Sequence, residues 1–350
     1  MPEVNKVKLT LFLVGSTLLI TFVFYGYQIC YTPNILVDRE AKIFVVRPGA
    51  TFRQVQEDLG RQNIVNDMVS FSFLARLAGY DKAITPGRFA FKPNTNNLQA
   101  IGILKNLHPE VVKVTFSYAR LRPELVEKIT KYVGMSSREF NDALDDFVAA
   151  NKEGFNQDNI LCLFIPNTYE VYFNMSAADL VEKMHAEYKK FWTPARLQAA
   201  EAAGLTPLEV SILASIVQAE SVKQDEAPII AGLYINRLKK DIALQADPTL
   251  VYALGDFTIK RVLNSHKQIK SPYNTYKYPG LPPGPINLPQ IWSIDAVLHY
   301  KHHDYYYMCA KEDFSGYHNF AHNLEDHNKN AHRYQMALNK EMEKAEQNKK

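Results

Sequence analysis

A single glutamate stands at the end of a predicted apolar helix, where it could act as a proton donor. The segment 207–221 reads PLEVSILASIVQAES. Its Glu220 follows three apolar residues at helical intervals of seven, four and three positions, namely Leu213, Ile216 and Val217. This spacing predicts that Glu220 lies on the apolar face. Burial there would raise the pKa of the carboxyl group and keep it protonated near neutral pH, as general-acid cleavage of a glycosidic bond requires. Alternatively, Glu220 lies past the last buried turn and pairs with a lysine.

The start of this helix is strongly specified. Thr206 is a predicted N-cap, Pro207 suits the first helical position, and Glu209 completes a capping box. The cap alone contributes about 1 kcal/mol. The sequence therefore predicts one helix that begins near residue 206 and ends at the glutamate.

Loops downstream carry groups suited to binding a sugar. Sugars need flat apolar faces on which to stack and polar groups that bond to their hydroxyls. The loop residues Tyr273, Asn274, Tyr276 and Tyr278 offer both, and the Pro/Gly-rich segment 280–286 has little backbone freedom to lose on folding. The alternative is a tyrosine- and proline-rich loop that only packs at the surface.

Taken together, these segments resemble the endolytic murein transglycosylases, a family also called MltG or YceG-like. The resemblance extends over nearly the whole chain. It rests on ordered matches: LASIVQAES (213–221), INRL (235–238), LQADPT (244–249), YNTY (273–276), GLPPGPI (280–286), HNF (318–320) and HN (327–328). It implies a membrane-anchored lyase that cleaves the MurNAc–GlcNAc bond within nascent peptidoglycan strands. The products would carry 1,6-anhydro-MurNAc ends, and strand elongation would terminate.

The resemblance also implies that Glu220 is the catalytic acid. We predict that substrate-binding residues come from the matching segments: Ser221, Gln245, Asp247, Asn274, Tyr276, Pro282, His318 and His327. Pro248 biases Asp247 toward an extended conformation. Two departures from the family pattern are Gln218, where members often carry a glutamate, and Ala50, where a typical LysM module carries aspartate.

Two other functions remain open at this stage. One is a non-catalytic cell-wall binding or scaffold protein, which has no need of a glutamate on an apolar face. The other is a hydrolytic muramidase, which would usually use a second carboxylate. Asp225, Glu226 and Asp247 are the candidates for that second group.

No cofactor and no metal site is predicted. Seven of the ten histidines fall after residue 298, so a metal site is conceivable. However, the sequence contains no HExxH motif and no Cys/His spacing typical of structural zinc. Cys162 and Cys309 could pair in an oxidising compartment, although Cys162 lies in an apolar run and fits a core position equally well.

An uncharged segment near the N-terminus is predicted to anchor the chain in a membrane. Residues 9–30 carry no charge, and at ~1.5 Å per residue they reach about 33 Å, enough to cross a bilayer core. Lys6 and Lys8 favour a cytoplasmic N-terminus. A cleaved signal peptide is the alternative, but this run is longer and ends in bulky residues. We predict a single-pass inner-membrane protein with its catalytic domain on the periplasmic or outer side.

The predicted fold class is α+β, with five consecutive parts. They are a cytoplasmic segment 1–8, a transmembrane helix 9–31, a LysM-like α+β domain 32–110, a mixed α/β catalytic domain 111–340 with core 160–335 and a lysozyme-like glutamate helix, and a charged tail 341–350. A strand, two helices, a strand and a helix are expected in the small domain. A buried strand is expected over residues 161–173.

The charge balance limits the partners. Lys plus Arg is 40 and Asp plus Glu is 37, so the net charge of +3 is too small to favour nucleic acid. The expected partners are peptidoglycan glycan strands and the membrane. The resemblance also suggests peptidoglycan synthases, which nothing in the composition indicates.

Overall fold

The computed structural model of the chain describes residues 6–37, 41–105, 111–259 and 261–347. Within these ranges it is a mixed α+β protein, with helices predominating and three two-stranded sheets. The predicted segment 1–8, the boundary at residue 110 and the tail 341–350 fall partly outside the described residues. The chain divides into two compact units. The first comprises Met1–Lys113, Tyr132–Ser136 and Glu170–Ser176, and the second comprises Val114–Lys131, Ser137–Tyr169 and Ala177–Lys350.

The elements before residue 106 are, in chain order, α1 (Lys6–Tyr31), β1 (Lys42–Val46), α2 (Phe52–Arg61), α3 (Met68–Leu77), β2 (Gly87–Phe91) and α4 (Asn97–Leu104). Among the helices of the described residues, α1 is the one that is by itself long and apolar enough to cross a membrane. The side chains of α1 are largely exposed, as expected of a segment whose neighbours would be lipid.

Residues 42–104 of the first unit contain a strand, two helices, a strand and a helix, in the predicted order. Strands β1 and β2 pair antiparallel, with Phe44 opposite Phe89. Phe44, Phe71 and Phe91 are fully buried between this sheet and the helices. Thr51 forms a capping box at the start of α2. The apolar core and the cap together explain why this short sequence folds locally.

The elements after residue 110 are, in chain order, β3 (Val111–Phe116), α5 (Arg122–Thr130), α6 (Ser137–Ala150), β4 (Asn167–Tyr172), α7 (Ala177–Phe191), α8 (Pro194–Ala203), α9 (Pro207–Glu220), α10 (Ala227–Lys239), α11 (Asp247–Leu254), α12 (Ile291–Leu298), β5 (Tyr307–Ala310), β6 (His318–Ala321) and α13 (Leu324–Gln347). Strands β3 and β4 form one sheet, and β5 and β6 form another. Helix α13 packs against β5 and β6.

Helix α9 is the central element of the second unit. It packs against α8, α10, α11 and α12, and its residues 210–217 are all buried. The predicted capping box is present: the Thr206 hydroxyl accepts from the Glu209 backbone, and the Glu209 carboxylate accepts from the Thr206 backbone. The local signals in the sequence thus fix the start of this helix.

The predicted strand over residues 161–173 is wrong in its first part. Residues Ile160–Leu163 form a 3-10 helix, and the strand β4 begins only at Asn167. The Cys162 backbone donates to the Asn159 carbonyl at 2.8 Å, which closes the helical turn. A short apolar run that is buried on all sides does not reveal its backbone type, because both a strand and a helical turn satisfy it.

The proline-rich segment before α12 is tied to α9. The Ile286 backbone donates to the Ser215 hydroxyl at 3.0 Å, and the Asn287 side chain donates to the Ser215 carbonyl at 2.8 Å. A Cβ at Gly284 would lie 1.9 Å from the Asp158 carbonyl oxygen, so only glycine fits there. These contacts fix the loop against the helix that carries Glu220.

Candidate active site

Glu220 is the last residue of α9 and is half-buried. The Tyr234 hydroxyl, on α10, donates to Oε1 of Glu220 at 3.2 Å. Desolvation by the surrounding protein first, and the nearby negative charge of Asp247 second, raise the pKa of Glu220 to about 7, although the Tyr234 hydrogen bond opposes the rise. A carboxyl group with this pKa holds its proton through much of the neutral range. It can therefore donate a proton or accept one, as a general acid and base must.

Asp247 is exposed and carries its own tyrosine partner. The Tyr276 hydroxyl donates to Oδ1 of Asp247 at 2.5 Å. The expectation that Pro248 keeps Asp247 extended is wrong, because Asp247 is the first residue of α11 and Ala246 before it is extended. Pro248 occupies the first turn of the helix, where a missing backbone N–H costs nothing.

Thr275 joins the two loops that carry Asp247 and Tyr276. Its carbonyl accepts from the Gln245 backbone at 2.9 Å, and its hydroxyl accepts from the Ala246 backbone at 3.1 Å. The buried Thr249 hydroxyl lies 2.8 Å from the same hydroxyl. Gln245 has a positive φ of 55°, an uncommon conformation for a side-chain-bearing residue that recurs at functional sites.

Asn274 ties together the backbone of the loop that carries Tyr276. Its side chain is fully buried and donates to the carbonyls of Lys267 and Ile269, each at 2.9 Å. Its side-chain oxygen accepts from the Tyr276 backbone at 3.0 Å. Because its polar atoms bond to the protein backbone, Asn274 does not face the cleft as a direct sugar ligand. It holds the backbone of Tyr276 in place.

Two cavities meet at Glu220 and Asp247, and both carboxyl groups line both cavities. The first cavity, of about 420 Å³, has both polar and apolar walls and includes Arg120. The second, of about 360 Å³, is more polar. It brings together six of the nine predicted site residues: Glu220, Gln245, Asp247, Tyr276, His318 and His327. Glu220 thus lies in the middle of a cleft rather than at its closed end.

Ser221 and Pro282 lie outside the walls of both cavities. Pro282 is buried in the proline-rich loop. Ser221 ends α9 through a hydrogen bond from its backbone to the Val217 carbonyl at 2.9 Å. Its hydroxyl is buried and has no hydrogen-bond partner in the described part of the chain.

The two predicted histidines are held differently. His318 Nδ1 lies 2.7 Å from a carboxylate oxygen of Glu226, which is 5% exposed, and the His318 backbone donates to the same carboxylate at 2.9 Å. His327 stacks on the Tyr307 ring, with 5.4 Å between ring centroids. Burial first, and the charge of Arg237 second, lower the pKa of His327, so its imidazole is neutral at neutral pH.

Sequence reasoning missed two residues of this site: Tyr234 and Arg237. Arg237 is 6% exposed, and its guanidinium donates to the carbonyls of Tyr306, Ala243 and Leu244 at 2.6, 2.8 and 3.0 Å. It therefore fixes the start of β5 against the loop before Asp247. The INRL motif contains Arg237 and was the available signal, but nothing in the sequence indicates which distant carbonyls it would bind.

Within the described ranges, no three His, Cys, Asp or Glu side chains lie close enough together to hold a metal ion. The cysteines Cys30, Cys162 and Cys309 are free.

The raised pKa of Glu220 predicts a pH-dependent stability effect. Its folded-state pKa of about 7 exceeds the ordinary 4.5, so the stability supplied by the protonated form is complete below pH 4.5 and is lost as the pH rises toward 7. At pH 8, Glu220→Gln should raise the free energy of unfolding by about 2–3 kcal/mol, and at pH 4 by much less. Urea unfolding at both pH values measures this. A stability difference that is the same at both would contradict the burial of a titrating carboxyl.

The profile of the YceG-like family matches residues 44–333. The chain belongs to the YceG-like family. The match includes both Glu220 and the two loops that meet at Thr275, so the cleft lies within the part that this YceG-like protein shares with its family.

Curated relatives of this YceG-like chain are named endolytic murein transglycosylases. The one from Streptococcus pneumoniae serotype 2 strain D39 is 24% identical over 358 residues, which cover 91% of this chain and 63% of that protein. The one from Bacillus subtilis strain 168 is 42% identical over 122 residues, which cover 35% of this chain and 33% of that protein. The chain thus spans about 63% of the length of the pneumococcal relative.

A crystal structure of a YceG-like protein from Listeria monocytogenes has the same fold. Its TM-score is 0.54 at 24% sequence identity, and the match covers 83% of this chain and 98% of that one. The shared fold agrees with the family assignment.

Proposed function

We propose that this chain is an endolytic peptidoglycan transglycosylase, a lyase that cuts the MurNAc–GlcNAc bond inside nascent glycan strands. The observation that carries the proposal is a desolvated carboxyl group, Glu220, in the middle of a cleft that continues on both sides of it. An enzyme that cuts within a strand needs room for sugars on either side of the cleaved bond. The names of the relatives support the same activity.

The mechanism begins with protonated Glu220. Glu220 donates its proton to the oxygen that joins MurNAc C1 to GlcNAc, and that bond breaks as positive charge develops at C1. The 6-hydroxyl of the same MurNAc then attacks C1 and gives its proton to the Glu220 carboxylate. The products are a 1,6-anhydro-MurNAc end and a free GlcNAc hydroxyl, and Glu220 has regained its proton. No water is consumed.

The groups around Glu220 have supporting tasks. The Tyr234 hydrogen bond orients the carboxyl group and stabilises its charged form between the two steps. Asp247, Tyr276, Gln245, His318 and His327 line the cleft as substrate-positioning groups. A transglycosylase needs only one carboxyl group for the chemistry, because its nucleophile belongs to the substrate.

A hydrolytic muramidase is the second candidate function, and one observation favours it. Asp247 lines both cavities beside Glu220 and is exposed, so it is placed where a second carboxylate could activate water. It accepts a hydrogen bond from the Tyr276 hydroxyl. The two functions differ in the sugar end that they leave behind.

Helix α1 is proposed to anchor the chain in the cell membrane, with the N-terminus cytoplasmic and the rest on the outer side. Its length and the absence of charge over residues 9–30 support a span, and Lys6 and Lys8 at its start support this orientation. The unit from β1 to α4 is proposed as a LysM-like domain, residues 32–110, and residues 111–340 as the catalytic domain. Peptidoglycan synthases are proposed as neighbours at the membrane, where nascent strands emerge.

Mass spectrometry of digested peptidoglycan tests the function. Purified strands incubated with the full-length chain in detergent should yield fragments that end in 1,6-anhydro-MurNAc. Reducing MurNAc ends would instead identify a muramidase. Unchanged strands would leave only a binding or scaffold role and would contradict the proposal.

A further inference from the structure

An arginine without an ionic partner lines the cavity beside Glu220. Arg120 follows β3 and lines the cavity of about 420 Å³ together with Glu220. Its side chain stacks on an aromatic ring, with the guanidinium carbon 4.6 Å from the centroid of Phe257. Throughout the described part of the chain, its guanidinium makes no hydrogen bond and no ion pair with protein. The cation is thus half-buried with its donors unused.

Other half-buried arginines in the same unit have oxygen partners. Arg122 bonds to Asp145 at 2.7 Å, and Arg196 bonds to Asp295 at 3.0 Å. Arg237 bonds to three backbone carbonyls. A guanidinium has five donors and is the preferred side chain for bidentate binding of a carboxylate. Its lack of a partner in a cavity beside the proton donor therefore points to an anion that arrives with the substrate.

The backbone of Arg120 is fixed, so the site is preformed. The Arg120 N–H donates to the Glu124 carboxylate at 2.6 Å. The neighbouring Ala119 carbonyl accepts from the Leu288 backbone at 2.7 Å, which ties it to the proline-rich loop that also binds α9. Little conformational freedom of the backbone is then lost when an anion binds.

We propose that Arg120 binds a carboxylate carried by the MurNAc residue of the strand that is being cut. This inference rests on the proposed function, because it takes peptidoglycan as the substrate. The sugar rings of the strand are neutral, and its negative charges lie on the lactyl group of MurNAc or on the peptide attached to it. Part of the cavity wall is apolar and suits the methyl groups of lactyl and alanyl units; this part includes Val251, Ile259, Val262 and Ile286.

Recognition at Arg120 has a consequence for specificity. Because MurNAc and GlcNAc alternate, a strand can lie in the cleft with either sugar next to Glu220. A carboxylate bound at Arg120 selects the register that places MurNAc C1 at the proton donor. Arg120 is thus a substrate-binding residue that sets which of the two kinds of bond is cut.

Binding measured without cleavage tests the inference. In a Glu220→Gln background, the full-length chain binds soluble strand fragments, and calorimetry gives Kd. Adding Arg120→Gln should weaken binding by about tenfold. Arg120→Lys should weaken it less, since the charge remains while the planar donors are lost. Arg138→Gln, which removes an exposed charge in the same unit, should change nothing.

Three substrates identify the anion. The fragments carry intact peptide stems, stems with amidated carboxylates, or no stems after amidase treatment, which leaves the lactyl carboxylate free. An Arg120 effect confined to stem-bearing fragments assigns the stem carboxylate, and an effect on stripped fragments assigns the lactyl carboxylate. Either of these two results supports the inference. It is also supported if Arg120→Gln no longer weakens the binding of fragments whose stem carboxylates are amidated.

Other outcomes would overturn it. One is an equal Kd for the chains with and without Arg120 on all three substrates. The other is an equal loss of affinity for charged and amidated fragments, because a merely structural role of Arg120 gives that pattern. Failure of the wild-type chain to cut strands, with Arg120-dependent binding retained, would overturn the proposed function and leave this inference standing.

Discussion

Replacing Glu220 by Gln is expected to lower the rate of glycan cleavage by about a thousandfold or more, in line with the usual contribution of a general acid. The amide has nearly the same shape and can keep the contact with Tyr234, but it has no acidic proton to give to the glycosidic oxygen. Release of soluble fragments from purified peptidoglycan, followed by chromatography and mass spectrometry, measures the rate.

A matched variant tests whether the loss of cleavage is specific to Glu220. Glu201→Gln removes a carboxyl group from an exposed position on α8 and should cleave at the wild-type rate. Both variants should give the same circular dichroism spectrum as the wild-type chain. Near wild-type cleavage by the Glu220→Gln chain would show that another group supplies the proton.

Replacing Asp247 by Asn is expected to move the alkaline limb of the pH–rate profile to lower pH. The negative charge of Asp247 raises the pKa of Glu220, so its removal lowers that pKa. Above its pKa, the protonated fraction of Glu220 falls tenfold for each pH unit. The rate at pH 8 should therefore fall by about tenfold, with a smaller loss at pH 5. Initial rates between pH 4 and pH 9 measure the shift.

Tyr234→Phe provides the opposing control. The hydrogen bond from Tyr234 lowers the pKa of Glu220, so its loss should move the alkaline limb to higher pH. Shifts in opposite directions for the two variants would be hard to explain by damage to the fold. An Asp247→Asn limb that stays in place would contradict the electrostatic coupling, and an equal loss at every pH would indicate direct participation of Asp247 in the chemistry.

Helix α9 was predictable because its signals are local. The capping box of Thr206 and Glu209 and the apolar spacing before Glu220 lie within about four turns of one helix, and each is satisfied by neighbours in the chain. The order of elements from β1 to α4 and the N-terminal apolar helix were predictable for the same reason. Composition and periodicity are sufficient to predict an element whose structure depends on one short segment of the sequence.

The remainder of the site depends on contacts between distant segments. Glu226 meets His318 across 92 residues, and Gln245 meets Thr275 across a loop. The side chain of Asn274 is of a type that could bind a sugar, but its amide group donates hydrogen bonds to nearby backbone carbonyls. A sequence shows which side chains could bind a sugar, whereas only the packed loops show which of them have polar atoms left to do so.

The pKa of the Glu220 carboxyl group tests the central claim most directly. In a chain labelled with ¹³C at glutamate side chains, the carboxyl resonance that is absent from the Glu220→Gln variant belongs to Glu220, and its shift can be followed from pH 3 to pH 9. The structure predicts a midpoint of about 7. A midpoint near 4.5, the ordinary value for glutamate, would mean that Glu220 is ionised at neutral pH and has no proton to give to the glycosidic bond.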